Sequence, residues 1–455
     1  MQPSTQPIGS RLYHAAVIVP STQSIVLAEI DGKCRLPLIS VECGTRAVRE
    51  IRRELESRWG LTVAVLDFVI GLNYAPVAIS ELIGPPPGTR CCAIPISEAP
   101  SSELDCAQKK VVAQIASGDV DDDNPLRRVG WLAEAAAWVE ESTHCSVLLP
   151  HAIEQYTAGG GFALLRLESA DNRVYWLKAV GPPNFHEFRI TTALAAAGAQ
   201  HLPTLVASRE NWRAWLMEDA GTPVQGSWDE AALCSAASAL AQLQKKALPY
   251  ADALIEAGAR DHRSTSLKRQ MRGWLPLLSK AMRLQTSTSV PKIDDKRLDE
   301  LMQIGDEACE ALLQVKMPDT ILHGDLNQGN ILFQGEACRF IDWAEARVGC
   351  PFLDLFLLPR LAAKRPGSND ATIEATRNAY LRCWRDVLTE EQLEVGLALA
   401  PLLAIASHLA GLLDPLRLRL KMDSEQIGYI RSLTRQLDRE ARNLEMRKPL
   451  LGWRR

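Results

Sequence analysis

The chain has 455 residues, 47% of them hydrophobic and 23% charged, with a formal net charge of -4 from 51 Lys+Arg and 55 Asp+Glu. That length exceeds one ordinary core and suggests about three compact units, and the hydrophobic share excludes a disordered chain. The balanced charge and short basic clusters give no nucleic-acid tract, while eleven scattered cysteines without a C-x-x-C pair exclude a zinc knuckle and a disulfide framework.

Residues 1–142 read as an α+β domain. Leu12 to Val19 and Ser24 to Ile30 are expected strands, Thr45 to Trp59 a helix with Val48, Ile51, Leu55 and Trp59 on one face, and Leu61 to Ile70 a further strand. The Met1 to Pro20 start lacks the charged end and apolar core of a signal peptide, so a cytoplasmic protein is expected. Arg53-Glu54-Leu55 followed by Gly60-Leu61 resembles part of the Nudix box, whose helix carries metal-binding glutamates that serve hydrolysis of nucleoside diphosphate compounds. The resemblance is degenerate. Of those glutamates Glu54 is present, whereas Ser57 and Arg58 stand where two others are expected, and Ile39 and Thr45 replace the upstream Gly and Glu. An amphipathic helix with a chance Arg-Glu-Leu reads the same way. Asp119 to Asn124 is an acidic helix-start signal, and the helix behind it, with Leu126, Leu132, Ala136 and Val139 on one face, is expected to close the domain before a linker at 142–150.

Residues 151–221 are expected to form a small nucleotide-covering lobe. Gly159-Gly160-Gly161 precedes the strand Phe162 to Leu167, and a tight turn at Ala170 to Asn172 leads into Val174 to Val180, which carries Lys178. A glycine turn lets backbone N–H groups approach phosphate, and a lysine ending the next strand reaches phosphate oxygens. Glu187 opens the next helix, where its carboxylate can pair with Lys178 or favour the helix dipole.

Residues 222–455 read as mostly helical, with helices expected at Ala231 to Gln244, Leu267 to Leu284, Ile293 to Val315 and Ile373 to Val387. Val395 to Leu413 is almost wholly apolar, yet Pro401, Ser407 and His408 interrupt it, so a buried helix pair is expected there and no membrane contact. Between these helices, Ile331 to Phe333 and Cys338 to Ile341 flank a Gly-containing loop and read as a β-hairpin. Folding it brings Asn330 beside Asp342, an amide oxygen and a carboxylate suited to Mg²⁺. Asp325, five residues before Asn330, can reach the same end and orient a substrate hydroxyl.

The His323-Gly324-Asp325 and Gly329-Asn330 segment, then Ile341-Asp342-Trp343, then Gly349, Pro351, Asp354 and Leu355, resembles the aminoglycoside phosphotransferase and choline kinase-like group of small-molecule kinases. The resemblance implies a protein-kinase-like two-lobe α+β fold for 151–455. It implies that Asp325, with His323 beside it, is the catalytic element, with Asp325 the base and His323 and Asp354 bracing the loop. It also implies that Asn330 and Asp342 bind metal, that Glu218 lies in the hinge whose backbone meets adenine, and that ATP and Mg²⁺ are the cofactors. Cys350 departs from the pattern, where many members carry Asp, but that position is no metal ligand. The expected activity is transfer of the γ-phosphate of ATP to a small-molecule hydroxyl on an aminoglycoside, sugar or amino alcohol, with Glu345 and Asp414 as candidate acids for a cationic acceptor. A non-catalytic binding protein on a kinase fold, and a Nudix-type hydrolase with an appended domain, remain the alternatives.

Overall fold

In the computed structural model, residues 9–30, 32–70, 75–85, 91–118, 125–147, 153–224, 228–356, 358, 370–413 and 423–447 are described. Asp119 to Asn124, the end of the expected linker and Asp414 lie outside them.

The strand β1 (Ser10–Val19) explains the first sheet. Ala15, Val17, Ala16 and Ile18 are all fully buried because successive side chains point to opposite faces and both faces are covered. Ala15 and Val17 join Val48, Ile51 and Leu55 of α1 (Ala47–Trp59), while Ala16 and Ile18 join Val112 and Ile115 of α2 (Cys106–Ser117). The sheet also contains β2 (Ser24–Ile30), β3 (Lys33–Arg35), β4 (Leu38–Glu42), β5 (Val63–Val69), β6 (Val77–Leu82) and β7 (Cys91–Pro95). Its main order is β3-β2-β1-β6-β5, with β4 on β1 and β7 on β2; the β1–β6 pair is parallel.

A second, five-stranded antiparallel sheet has the order β11-β12-β10-β9-β8, built from β8 (Ile153–Thr157), β9 (Phe162–Glu168), β10 (Val174–Val180), β11 (Leu205–Arg209) and β12 (Ala214–Glu218). The helix expected to close the N-terminal domain, α3 (Trp131–Thr143), instead places Trp131, Leu132 and Val139 in one core with Leu165, Leu177 and Trp212 of this sheet. Gln155 of β8 likewise exchanges two buried hydrogen bonds with the backbone of Val65, its amide donating to the carbonyl at 2.6 Å and its oxygen accepting from the N–H at 2.9 Å.

Those contacts bear on the three-part division at 142, 151 and 221. The chain divides into two units, residues 1–188 with 204–219, and residues 189–203 with 220–455. The boundary falls inside the helix α4 (Phe185–Ala196), after Phe188.

The second unit is built on one large apolar cluster of helices: α5 (Glu230–Ala247), α6 (Ala251–Glu256), α7 (Ser264–Met271), α8 (Leu275–Arg283), α9 (Asp295–Gln314), α10 (Phe352–Leu355), α11 (Asp370–Arg382), α12 (Glu390–Leu412) and α13 (Ser424–Arg447). The single helix expected over Leu267 to Leu284 is two, because the chain turns at Gly273 and restarts with Pro276 in the first turn of α8. The helix expected to reach Val387 ends at Arg382, beyond which Cys383 and Trp384 make i to i−3 turns. Conversely, the pair expected around Pro401 is one helix, α12. Proline there removes one N–H from the ladder, yet burial continues on both sides of it and holds the helix together. Among the described residues α12 is the one helix long and apolar enough to cross a membrane, but 67% of its apolar window is buried inside the protein. It is a core helix here.

Two small sheets complete the unit. The hairpin β16 (Ile331–Gln334) and β17 (Ala337–Phe340) carries β13 (Thr222–Pro223) on its outer side, and β15 (Thr320–Leu322) and β14 (Arg260–Asp261) flank β18 (Arg347–Gly349). A five-stranded antiparallel sheet, a connecting helix and a mostly helical unit with a hairpin is the α+β, kinase-like order that the family resemblance implies.

Candidate active site

In the first unit, β10 pairs with β9 and β12, placing Lys178 opposite Leu164 and Trp215. Its ammonium lies 2.5 Å from Glu187 Oε1, with the two side chains 11% and 2% exposed, and between the rings of Phe162 and Trp215. At that burial neither charge has bulk water for company, so each fixes the other in place. The glycine turn lies against the far end of the same strand. Gly181 donates its N–H to the Gly161 carbonyl at 2.8 Å, and a Cβ on Gly181 would fall 1.6 Å from the Gly160 carbonyl oxygen. Only glycine permits that approach, and the sequence reading did not single out Gly181. Gly159 has a φ of +119°, backbone that side chains resist. Glu218 is the exposed last residue of β12, its N–H donating to the Thr204 carbonyl at 3.0 Å.

In the second unit, the hairpin register Ile331↔Phe340 to Gln334↔Ala337 leaves Gly335-Glu336 as a two-residue turn, with Gly335 at φ +60°. At its open end the Ile341 N–H donates to the Asn330 carbonyl, so Asp342 follows one residue beyond that closure. Asp342 sits at φ +70°, a conformation rare for residues other than Gly, Asn or Asp and often kept at functional positions.

Asp325 is held from one side only. The Asn330 amide NH₂ donates to Asp325 Oδ2 at 3.1 Å and to its carbonyl at 3.0 Å, and the Asn327 amide donates to the same Oδ2 at 3.0 Å. Both side-chain amides thus fall on Oδ2, and the residue itself is exposed. With the Asn330 amide nitrogen engaged, its carbonyl oxygen is what remains for a cation. That oxygen and the Asp342 carboxylate are hard donors of the kind Mg²⁺ takes with one or two protein groups, phosphates and water. Among the described residues no cluster of three or more His, Cys, Asp or Glu that could hold a metal ion is found.

His323 is fully buried, and both its ring nitrogens are engaged by the loop and the hairpin end. Its Nε2 bonds the Ile341 carbonyl at 2.9 Å and its Nδ1 accepts from the Asp325 N–H at 3.4 Å, which places the ring proton on Nε2; the ring lies against Trp343, centroids 4.7 Å apart. It is a positioning residue. Asp354 does the same for the backbone, accepting from the N–H groups of His323 at 2.6 Å and Gly324 at 3.3 Å. Burial pushes its carboxyl above the usual range, opposed by those N–H bonds and by Arg347. Arg347, which the sequence reading missed, is buried and donates to the Gly324 carbonyl at 3.4 Å and to Ser407 Oγ at 3.0 Å; Ser407 in turn meets His262 Nδ1 at 2.8 Å. Burial, then Arg347 and Arg260, hold His262 well below its ordinary pKa, so it stays neutral in this network. Glu345 is committed to Arg260 at 2.7 Å.

Residues 164–388 match the family model described as the phosphotransferase enzyme family. This part of the chain belongs to that family. Among solved structures, the chain is similar to a macrolide 2′-phosphotransferase apoenzyme from Brachybacterium faecium (17% identity, TM-score 0.42, covering 66% of this chain and 97% of that one). It is also similar to an aminoglycoside phosphotransferase from Alicyclobacillus acidocaldarius (16%, 0.43, 67% and 97%) and a choline/ethanolamine kinase family protein from Mesorhizobium loti (13%, 0.41, 69% and 99%). No curated protein matches the sequence. The phosphotransferase match spans Lys178, Glu187, Glu218, His323, Asp325, Asn330, Asp342 and Asp354, and begins after the glycine turn. It does not reach residues 1–142, where the Nudix likeness rests on Glu54 alone. On α1, Glu50 and Glu54 lie beside Arg53, Arg49 pairs with Glu154 of β8 at 2.5 Å, and Arg52 donates to the carbonyls of Val63 of β5 at 2.9 Å and Ile153 of β8 at 3.1 Å.

Proposed function

We propose that this phosphotransferase moves the γ-phosphate of ATP to a hydroxyl of a small molecule. The observation that carries this reading is the one-sided grip on Asp325, which leaves Oδ1 to orient an acceptor hydroxyl and take its proton. Lys178, fixed by Glu187, presents its ammonium to phosphate oxygens, and the Gly159 to Gly161 turn, tied to the end of the same strand through Gly181, offers backbone N–H groups to them. Backbone groups around Glu218 to Gly221 suit the adenine edge. Mg²⁺, held by the Asn330 amide oxygen and the Asp342 carboxylate, would supply charge neutralisation on the phosphates. Catalysis is then positioning and electrostatics, as phosphoryl transfer requires. Retention of Lys178, Asp325, Asn330 and Asp342 together supports catalysis over a bare binding role.

Calorimetry and an ATP-consumption screen over a metabolite and antibiotic panel test this. Mg-dependent ATP binding, weakened in Asp342→Ala, together with acceptor-stimulated ADP release, is the expected result. ATP binding that ignores both Mg²⁺ and Asp342 would refute it.

A further inference from the structure

Within the second unit a partly open pocket of about 140 Å³ abuts the catalytic loop. Gly324 and Asp325 form one wall, and Leu326, Phe356, Ala404, Ile405 and Leu433 form an apolar floor. Leu326, Ala404, Ile405 and Leu433 are buried in it. His408 and Tyr429, joined by a 2.9 Å hydrogen bond between Nε2 and Oη with their rings edge to face, supply the polar rim. Among the described lining residues Asp325 is the one carboxylate; of the two candidate acids for a cationic acceptor, Glu345 is paired with Arg260 and Asp414 lies outside the described residues.

We infer that the acceptor is an uncharged molecule that offers its hydroxyl to Asp325 from an apolar body of about one six-membered ring, with one polar group against the His408–Tyr429 rim. This rests on the proposed transfer to a hydroxyl at Asp325. Size comes first: an apolar cavity of about 150 Å³ is known to take benzene. Chemistry comes second. A polycationic acceptor would set ammonium groups against Leu326, Ile405 and Leu433 with one carboxylate among the described lining residues to answer them, and burying ions without partners is costly. A sugar would bury several hydroxyls against the same floor, each needing a partner that the rim alone cannot provide. Apolar contact with a few placed polar groups is the ordinary recipe for a small-molecule site.

The test uses the intact chain with Mg-ATP. Benzyl alcohol, 2-phenylethanol and cyclohexylmethanol form one arm; kanamycin, choline and glucose form the other. Expected is acceptor-stimulated ADP release with kcat/KM about ten-fold or more higher in the first arm. Ala404→Val and Ala404→Phe, which fill the pocket by increasing amounts, should raise the acceptor KM in that order while the Kd for Mg-ATP stays unchanged; thermal midpoints report whether each variant folds. Preference for the second arm, or filling variants that leave KM where it was, overturns the inference while leaving the phosphotransferase reading intact. Should the chain bind no Mg-ATP, that reading fails instead. The pocket is then judged by thermal shift with the ring alcohols alone: a shift lost in Ala404→Val upholds it, and no shift overturns it.

Discussion

The loop around Asp325 and the helix α1 both carry acids picked out by a sequence motif, and they use them in opposite ways. The backbone of the loop is tied to residues far along the chain: Asp354 reaches back 31 residues to the His323 N–H, and His323 reaches forward 18 residues to the Ile341 carbonyl, while the Asp325 carboxylate itself is met by its neighbours Asn327 and Asn330. On α1, Glu50 and Glu54 meet only Arg53, on a face open to solvent. The arginines beside them do the long-range work, with Arg46 and Arg49 over the Tyr156 ring and Arg52 on two backbone carbonyls of other strands. What separates the two is the support beneath the acid: the Asp325 loop is braced by buried groups with distant partners, whereas the α1 acids meet only a neighbouring arginine.

The largest break in this comparison should come from Asp325→Asn. It is expected to lower turnover by about two to four orders of magnitude with Mg-ATP affinity nearly unchanged, measured by steady-state kinetics beside calorimetry; an equal loss of nucleotide binding would make Asp325 a ligand rather than a base. Next comes Asp354→Ala, which strands two buried N–H donors and the Gln244 amide and should cost about 3 kcal/mol of stability. Urea unfolding checks it. An unchanged midpoint would mean the loop does not depend on its far partners.

Asp319 sharpens the contrast because burial works against it. Burial lifts its carboxyl to about 6, with Arg263 opposing and Asp261 and Asp252 adding to the rise. The folded chain therefore binds this proton more tightly than the unfolded one, whose group titrates at the ordinary value of 3.8. Stability is undiminished below that value and is lost as pH rises through about 6. Asp319→Asn should stabilise the protein by roughly 1 kcal/mol at pH 8, after discount for its partial exposure, and not at all at pH 3. Equal effects at both pH values would remove the assignment. The smallest effect is expected of Glu54→Gln: stability within about 0.5 kcal/mol, and no metal-dependent hydrolysis of nucleoside diphosphate compounds to lose. If the intact chain shows such hydrolysis and this variant abolishes it, α1 is a site after all.

Elements whose own residues carry the period were legible in the sequence. Val174 to Val180 is a strand over the expected residues, and the hairpin around Gly335 was readable from two apolar runs and one glycine. The strands of β14, β15 and β18 have two or three residues each, too few to show alternation, and the β14–β18 pairing joins residues nearly 90 positions apart. Arg347 was invisible for the same reason: a charged residue is buried here against partners that include Gly324 and Ser407, which a single sequence does not place beside it. At Pro401 the local rule failed because packing along the whole of α12 outweighs one missing hydrogen bond. The family motif named Asp325, Asn330 and Asp342, but that two amides converge on one oxygen of Asp325 required the coordinates.

The helix α12 carries several structural duties at once, and this constrains how such an enzyme can change over generations. At Gly396 it lies so close to Phe352, two residues before Asp354, that a Cβ would come within 2.5 Å of the ring. At Ser407 it holds Arg347 and thereby the Gly324 carbonyl. Between and beyond these points, Ala404, Ile405 and His408 shape the pocket. A mutation that tilted or slid the helix to admit a new acceptor would drag the catalytic loop with it, so mutational drift in specificity is channelled away from the backbone of α12. The inheritable freedom lies across the pocket on α13, at Tyr429 and Leu433, where a side chain can be exchanged without moving the machinery that does the chemistry.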